Sequence, residues 1–532
     1  MAPPNGPLSF KALVILVLIV AAGALCFRLP RLDLRPMHTD EAVHADKLGI
    51  LLDTGRYTYN PEDYHGPTLY YFTLPCVWLT GARSYAEIRN EIPLRIVPAF
   101  FGTGLILLLL LFQDGLGRRA SLCAALLTAL SPAMVFYSRY YIQEILLVFF
   151  TFAAIVSIWR YTRSRKLGWA LLAGACLGAM HATKETCVIA YAAMAGSAGV
   201  TILWTRWVGG HQLRVREYVH GWHLAGALKV AAAVSILCLT VLLSNPRATV
   251  DSVLTYSNYL DRGATGDSST SGLQVHSHPW YFYLQMLAWI RYDAGPRWSE
   301  ALVLALFAVG MVQALRRGTG GEDEANHHIW RFLAFYTILM TAVYSFLSYK
   351  TPWCMLSFLH GMILLAGVGA AAIYRALPGR WLRGAAALLF ALGLWHLGAQ
   401  AYRANFVYQA DTRNPYVYGH TSSDFLRMVQ RIEDIARVSG KDRHIPIRVV
   451  TTGWDCWPLP WYMREFDRVL SSETVPPEPD TEIIVASEDL EPELDKRLRG
   501  AYQKEYYGQR FGVLMTLYVR ADLWEAFMAG RK

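Results

Sequence analysis

The residues of this sequence that could carry chemistry stand at the ends of long apolar runs. The stretch MHTDEAVHADK (37–47) places two adjacent carboxylates, Asp40 and Glu41, directly after the first such run. The later stretches SRYYIQE, HATKET and SYKTPW contribute Arg139, Glu144, Lys184 and Lys350. Carboxylates serve acid–base catalysis, and cationic side chains bind anions such as phosphate. Together these residue types predict acid–base chemistry on an anionic substrate.

The composition indicates the class of protein. Of the 532 residues, 54% are hydrophobic and 17% are charged, with a mean hydropathy of +0.24. Soluble domains contain roughly 25% charged residues. The net charge of +9 falls in short loops between apolar runs, which argues against a nucleic-acid partner. Eight scattered cysteines without a CxxC pair argue against a disulfide framework or a zinc site. We therefore predict a polytopic membrane protein without a metal or a cofactor.

Apolar runs long enough to cross a bilayer predict about eleven transmembrane helices. They lie near residues 12–27, 92–112, 119–136, 145–160, 168–182, 187–205, 224–244, 299–315, 329–347, 354–374 and 384–400. A signal peptide cleaved near AAGALC is the alternative explanation of the first run, and we expect that run to remain as an uncleaved span.

Basic residues predict the orientation of these helices. They recur in alternate loops: GRRA, RYTRSRK, the 206–216 segment, RRGTGG and RALPGRWLR. By the positive-inside rule these five loops face the cytoplasm. The first span disagrees, because arginines follow it and Lys11 alone precedes it. We expect a multi-pass protein of the inner or plasma membrane with a cytoplasmic N-terminus, and the candidate residues on the extracytoplasmic side.

Two domains are expected. Residues 1–400 form the transmembrane domain, whose first outward loop, 28–91, shows helical spacing after Asp40 and should lie on the membrane as interfacial helices. In residues 401–532, strand-like runs (IPIRVVT, TEIIVAS, GVLMTLYV) alternate with helix-like segments such as SSDFLRMVQRIEDIARV. This alternation predicts a soluble extracytoplasmic α/β domain. The stretch GATGDSSTSG (263–272) is expected to be a flexible outward loop.

Each candidate residue also has a structural explanation. Lys184 and Glu185 could pair with neighbours, and Arg139 could anchor the chain at the membrane interface. Asp40 and Glu41 could cap the helix that begins beside them. Five separate outward loops nevertheless contribute polar groups to one side, which favours a shared site.

The ordered set of motifs resembles that of the GT-C membrane glycosyltransferases, which use polyprenyl-phosphate-linked sugars. The similarity is carried by HTDEAVHADKLGILLDTGRYTYNPEDYHGPTLYYFTLP, SRYYIQE, HATKET, HPWYFYL, SYKTPW and WDCWPLPWYMREF. These segments are similar to those of protein O-mannosyltransferases and lipid A aminoarabinose transferases. They resemble most closely a prokaryotic group described as flippase-activity-associated proteins. The resemblance implies an α-helical GT-C-like membrane fold with a C-terminal α/β domain.

The resemblance also implies roles for single residues. Asp40 matches the catalytic base, which deprotonates an acceptor hydroxyl so that the hydroxyl displaces the lipid phosphate with inversion. Glu41 would orient the acceptor or Asp40, and Glu144 matches the second acidic position. The candidates for binding the donor phosphate are Lys350, Lys184 and Arg139, of which Lys350 is the best matched. Contacts with the acceptor or the sugar are expected from His65, His278, Trp280, Trp457 and Trp461.

The implied function is transfer of a sugar from a polyprenyl-phosphate donor to a hydroxyl of a glycan, lipid or protein acceptor. Two other functions stay open, a non-catalytic partner in the export of lipid-linked sugars and a transporter. Transporters often have broken helices with binding sites near the middle of the membrane, whereas the charges here gather at one face.

Overall fold

The structure, a computed structural model, describes residues 8–60, 65–208, 219–241, 243, 245–265, 276–316 and 322–530. Within these ranges the chain is mostly helical. The helices are α1 (Phe10–Arg28), α2 (Thr39–Thr54), α3 (Thr68–Leu79), α4 (Ile92–Leu116), α5 (Arg118–Leu130), α6 (Pro132–Tyr137), α7 (Glu144–Ser164), α8 (Leu167–His181), α9 (Cys187–Trp207), α10 (Gly221–Leu239), α11 (Arg247–Thr265), α12 (Phe282–Ala288), α13 (Ala301–Leu315), α14 (Glu322–Phe346), α15 (Leu356–Ala376), α16 (Gly379–Tyr402), α17 (Ser423–Val438), α18 (Leu459–Met463), α19 (Glu491–Arg497) and α20 (Ala521–Ala529).

Eight helices of the described ranges are long and apolar enough to cross a membrane. They are α1, α4, α7, α9, α10, α14, α15 and α16. Shorter helices, α5, α8 and α13, occupy three other predicted spans. The span predicted at 119–136 is interrupted because the Ser131 hydroxyl caps α6, which begins at Pro132. The chain is a multi-pass membrane protein, and the number of about eleven crossings stays a prediction.

Small residues set the close packing of two central helices. At Gly310 of α13 an added Cβ would overlap the backbone carbonyl of Leu365 in α15. At Gly369 of α15 it would overlap the carbonyl of Leu306 in α13. Membrane helices associate closely where glycine removes the side chain between them. These contacts hold α13 and α15 against each other at close range.

The C-terminal part contains a five-stranded sheet. Its strands are β1 (Ile447–Val450), β2 (Val469–Ser472), β3 (Ile483–Ser487), β4 (Tyr502–Arg510) and β5 (Val513–Arg520), in the spatial order β2-β1-β3-β5-β4. Strand β1 pairs in parallel with β2 and β3, whereas β5 is antiparallel to β3 and β4. The strand-like runs predicted from the sequence correspond to β1, β3 and β5, and the predicted helix is α17. The α/β fold class of this region is therefore confirmed.

This sheet domain is attached to the first loop of the membrane part. The Met37 N–H donates to the Tyr462 hydroxyl at 2.8 Å, and the Thr421 hydroxyl donates to the Met37 carbonyl at 2.7 Å. The Trp461 indole N–H donates to Glu91 at 2.9 Å. Because Met37 precedes α2 by two residues, these bonds fix the start of the helix that carries Asp40.

Candidate active site

The first turn of α2 is stabilised by a capping arrangement that does not use the Asp40 side chain. The His38 ring accepts a hydrogen bond from the Asp40 N–H at 3.0 Å, and the Glu41 carboxylate accepts one from the His38 N–H at 3.1 Å. This is a capping box with histidine in the position usually held by serine or threonine. The cap therefore uses Glu41 and His38, and the Asp40 side chain is not needed for it.

Glu41 is fully buried, and its partners are protein groups. Its oxygens accept from Arg95 at 2.8 and 2.7 Å, from Arg35 at 3.2 Å and from the Tyr141 N–H at 2.8 Å. Burial alone would raise the pKa of Glu41, but Arg95 and Arg35 hold it at about 2. The geometry therefore argues against the expected contact of Glu41 with an acceptor. This carboxylate instead fastens α2 to α4 and to the loop before α7.

Asp40 differs from Glu41 in its exposure to solvent and in its pKa. Its side chain is partly exposed, and its carboxylate accepts no hydrogen bond from the described part of the chain. Burial, Glu144 and Glu41 raise the pKa of Asp40 to about 7, against the opposing effect of Lys184. A general base works best when its pKa lies near the operating pH. Asp40 is thus a partly exposed carboxylate whose pKa lies near neutrality.

Glu144 and Lys184 form a buried ion pair beside Asp40. Glu144 is the first residue of α7, and Lys184 lies in the loop between α8 and α9. The Lys184 ammonium donates to a Glu144 carboxylate oxygen, and both residues are buried. Both charges act on Asp40. The structure therefore brings together three residues that the sequence placed in three different loops.

Next to the Glu144–Lys184 pair, Glu185 binds the ring of His65. The His65 Nδ1 and a Glu185 oxygen are 2.8 Å apart, and the Tyr59 hydroxyl donates to the other oxygen at 2.8 Å. The rings of His65 and His44 lie 5.9 Å apart. The sequence left open that Lys184 and Glu185 pair with neighbours. The structure shows that adjacent residues serve two different pairs.

Lys350 belongs to a second wall of the candidate site, which also contains His276, His278 and Tyr418. Hydrogen bonds link this wall to the start of α2. The Lys350 ammonium donates to the Leu347 carbonyl, and the Lys350 N–H donates to the His276 carbonyl at 2.9 Å. The His276 ring bonds the Tyr418 hydroxyl at 2.9 Å, and the Tyr418 carbonyl lies 3.0 Å from the His38 ring. Burial lowers the pKa of Lys350. His278 lies on this wall as well, with its ring 6.1 Å from that of Tyr418.

Arg139 is occupied elsewhere. Its guanidinium donates to the carbonyls of Phe27, Arg28, Pro30 and Arg31 at 2.7 to 3.2 Å. Phe27 and Arg28 are the last residues of α1, whose carbonyls the helix itself cannot satisfy, and Pro30 and Arg31 follow it directly. Arg139 therefore caps α1, and the geometry argues against its expected role in binding phosphate.

The three predicted tryptophans lie in different surroundings. Trp461 is 1% exposed and bonded to Glu91, so it is a structural residue of the domain junction. Trp457 is partly buried against the hydrophobic core, and its carbonyl accepts from Gln509. Trp280 is 61% exposed, with its ring edge-on to Tyr281. Stacking on a sugar stays a prediction for Trp280 and Trp457.

Sequence reasoning did not identify an aromatic cluster around His38. The His420 ring stacks on Tyr140 at 5.3 Å and lies 4.8 Å from His38, and Trp353 lies 6.0 Å from His38. Tyr140 stands in the quoted SRYYIQE motif, which was a usable signal, whereas His420 lies in a tail segment without any. Within the described residues, no group of three or more His, Cys, Asp and Glu side chains could hold a metal ion.

An apolar cavity of about 830 Å³ opens among α7, α8, α9, α10 and α14. At one end it is lined by His181 and Ser235, whose side chains are 2.6 Å apart. Arg163, near the opposite end of α7 from Glu144, also lines it. His181 ends α8 and precedes Lys184 by three residues, so this end of the cavity is close along the chain to the loop that carries Lys184 and Glu185.

Comparisons with known proteins agree with this architecture. The family described as dolichyl-phosphate-mannose-protein mannosyltransferase matches residues 68–243. A comparison with curated proteins found no match. ArnT from Cupriavidus metallidurans bound to undecaprenyl phosphate is similar over 96% of this chain and 98% of its own, with a TM-score of 0.60 and 15% identity.

The oligosaccharyltransferase of Archaeoglobus fulgidus, tethered with an acceptor peptide, is similar over 97% of this chain and 76% of its own. Its TM-score is 0.55 and its identity 12%. Similarity of this kind at low identity establishes the fold and not the substrate. The chain is a multi-pass membrane protein with the GT-C glycosyltransferase fold.

Proposed function

We propose that the protein is a membrane glycosyltransferase that moves a sugar from a polyprenyl-phosphate donor to an acceptor hydroxyl, with inversion. The observation that carries this proposal is Asp40, a partly exposed carboxylate with a pKa of about 7 among buried ion pairs. A hydroxyl becomes a nucleophile only if a base takes its proton as attack begins. Asp40 is the base, and the released electron pair of the acceptor oxygen forms the new glycosidic bond.

The class of donor is supported by the similar proteins and by the cavity. The matching family is described by a dolichyl-phosphate sugar, and the similar ArnT structure holds undecaprenyl phosphate. The apolar cavity suits a long hydrocarbon chain, and His181 at one of its ends precedes Lys184 by three residues. Lys184, and Lys350 on the second wall, are the cations proposed to offset the negative charge that develops on the leaving phosphate.

The two other functions explain less of the site. A partner without catalytic activity has no need of a reachable carboxylate with a pKa near neutrality. A transporter is expected to bind its substrate near the middle of the membrane. The polar cluster lies instead at the first turns of helices and in the loops that join them.

The proposal predicts sugar transfer with a defined pH dependence. Purified protein in lipid nanodiscs should release polyprenyl phosphate from a labelled polyprenyl-phosphate sugar when an acceptor extract is added. Because the base acts in its ionised form and the pKa of Asp40 is raised to about 7, kcat/KM should rise with pH and level off above about 7. The measurement is the initial rate between pH 5.5 and 8.5. A rate that is constant below pH 7 would contradict Asp40 as the base.

We further propose a cytoplasmic N-terminus, an extracytoplasmic domain from residue 401 onwards, and an inner or plasma membrane location. In a cysteine-free background, Ser164→Cys and Thr474→Cys place single thiols at exposed positions on the two proposed sides. A membrane-impermeant maleimide should modify Thr474→Cys in intact cells and reach Ser164→Cys only after permeabilisation. Labelling in the reverse order would put the site on the cytoplasmic side.

A further inference from the structure

The segment NPYVYGHT (414–421), which lies between α16 and α17, is bound to the membrane part of the protein. We call it the connecting segment. The Tyr137 hydroxyl donates to the Tyr416 carbonyl at 2.9 Å, and the Tyr416 hydroxyl donates to Glu300 at 3.1 Å. Tyr137 ends α6, and Glu300 directly precedes α13. The connecting segment is therefore fixed to two elements of the membrane part before the sheet domain begins.

The middle of the connecting segment contacts the ring of His38. The Tyr418 carbonyl oxygen lies 3.0 Å from the His38 Nε2, and the His420 ring lies 4.8 Å from the His38 ring. Gly419, between them, has a φ of +62°, which glycine adopts without strain, and an added Cβ would lie 3.6 Å from Nε2. Both neighbours of this glycine thus meet the same histidine.

The Tyr418 contact determines which nitrogen of His38 carries the proton. A carbonyl oxygen can only accept a hydrogen bond, so Nε2 is the protonated nitrogen. Nδ1 then has the lone pair that accepts the Asp40 N–H at 3.0 Å, the bond that caps α2. Burial lowers the pKa of His38 to about 4, so the ring stays neutral at physiological pH. The cap of the helix that carries Asp40 thus depends on a carbonyl of the connecting segment.

The side chain of Tyr418 leads in the other direction, to Lys350. The Tyr418 hydroxyl and the His276 Nδ1 are 2.9 Å apart, and the His276 carbonyl accepts from the Lys350 N–H at 2.9 Å. Residues joined by hydrogen bonds therefore form a chain from Asp40 to Lys350. Under the proposed function, this chain joins the base to a cation that offsets charge on the leaving phosphate.

We propose that the connecting segment positions Asp40 for the reaction, because Tyr418 holds His38 in the tautomer that caps α2 and sets this helix start relative to Lys350. His38 and Tyr418 are positioning residues, which act through Asp40 and Lys350 and not on the substrate. The inference rests on the proposed function, and it gives the junction with the C-terminal domain a part in the reaction.

His38→Asn separates the two bonds of the His38 ring. Asparagine caps helices well, but its side chain is too short to cap α2 and reach the Tyr418 carbonyl as well. We expect kcat to fall about 10- to 100-fold, the size of effect that a displacement of about 1 Å can have, with KM nearly unchanged. Tyr418→Phe removes only the bond to His276 and should lower kcat by about 2- to 10-fold. The double variant should lose little more than His38→Asn alone, because both changes break one chain.

Tyr416→Phe is the matched control, since it makes the same change in the same segment. The Tyr416 hydroxyl bonds Glu300, which is not part of the chain from Asp40 to Lys350. This variant should lower the thermal midpoint and leave kcat unchanged. If His38→Asn and Tyr418→Phe also lower only the thermal midpoint, or change nothing, the inference is overturned.

A second measurement follows the surroundings of Asp40 without turnover. The charges that act on Asp40 are Glu41 of the same helix, Glu144 at the start of α7 and Lys184 in the loop before α9. Asp40→Asn should raise the thermal midpoint in nanodiscs by an amount that grows with pH and levels off above the folded pKa of about 7. In a His38→Asn background this levelling should occur about one pH unit lower, because a displaced carboxylate is better solvated.

The two measurements separate the inference from the proposed function. In a Tyr416→Phe background the levelling should stay at about pH 7, the folded pKa of Asp40. If the wild-type protein transfers no sugar but His38→Asn shifts the levelling, the proposed function fails while the positioning of Asp40 stands. A levelling that stays at about pH 7 in the His38→Asn background overturns the inference, whatever the rate of transfer.

Discussion

Asp40→Asn is expected to lose about 10²- to 10⁴-fold in sugar transfer, the contribution typical of general base catalysis. Asparagine keeps the size and shape of aspartate but cannot accept the proton of the acceptor hydroxyl. The start of α2 should be unaffected, because His38 and Glu41 form its cap. The measurement is single-turnover transfer with saturating donor, so that a change in binding is separated from a change in the chemical step.

The same variant should be at least as stable as the wild-type protein. The pKa of Asp40 is about 7 in the folded protein and higher than in the unfolded chain, so the folded state binds this proton more tightly. Above pH 7 the ionised carboxylate therefore opposes folding, and asparagine removes that cost. At pH 8 we expect the thermal midpoint to be equal or higher. An active Asp40→Asn protein, or one that fails to fold, would contradict the assignment of Asp40.

Glu41→Gln is expected to have the opposite effect. It should destabilise the folded protein and leave the chemical step largely unchanged. Arg95, Arg35 and two backbone N–H groups share the Glu41 carboxylate, and glutamine offers one acceptor oxygen and an amide that repels the arginines. Breaking a buried ion pair by removing one partner costs about 3–5 kcal/mol. Purified yield and the thermal midpoint should both fall sharply.

The neighbouring variant Asp40→Asn provides the control for Glu41→Gln. Transfer by each folded Glu41→Gln molecule should stay within about tenfold of the wild-type value, well short of the loss expected for a base. The pH dependence has a definite sign as well. The pKa of Glu41 is lowered to about 2, so its stabilising contribution is present above pH 4.5 and is lost as the pH falls towards 2. A stable but inactive Glu41→Gln protein would show that Glu41 takes part in the reaction.

Beyond the resemblance of its motifs, which implied the GT-C fold, the sequence by itself determined the membrane class, most helix positions and the α/β tail. These follow from local signals, because apolar runs of sufficient length and strand-like alternation are written in consecutive residues. It also singled out Asp40, Glu144 and Lys184, since charges beside apolar runs are costly unless they are paired or functional.

Only the tertiary structure showed how different the surroundings of the two adjacent carboxylates are. Successive residues of a helix point about 100° apart, so Asp40 and Glu41 face different surroundings. Glu41 meets Arg95, which lies 54 residues away in the chain, and the two residues become one buried pair. His65 meets Glu185 across 120 residues, and Arg139 reaches the end of α1 across more than 100. Such contacts depend on how helices and loops pack, and for that reason the spacing of residues in the sequence could not reveal them.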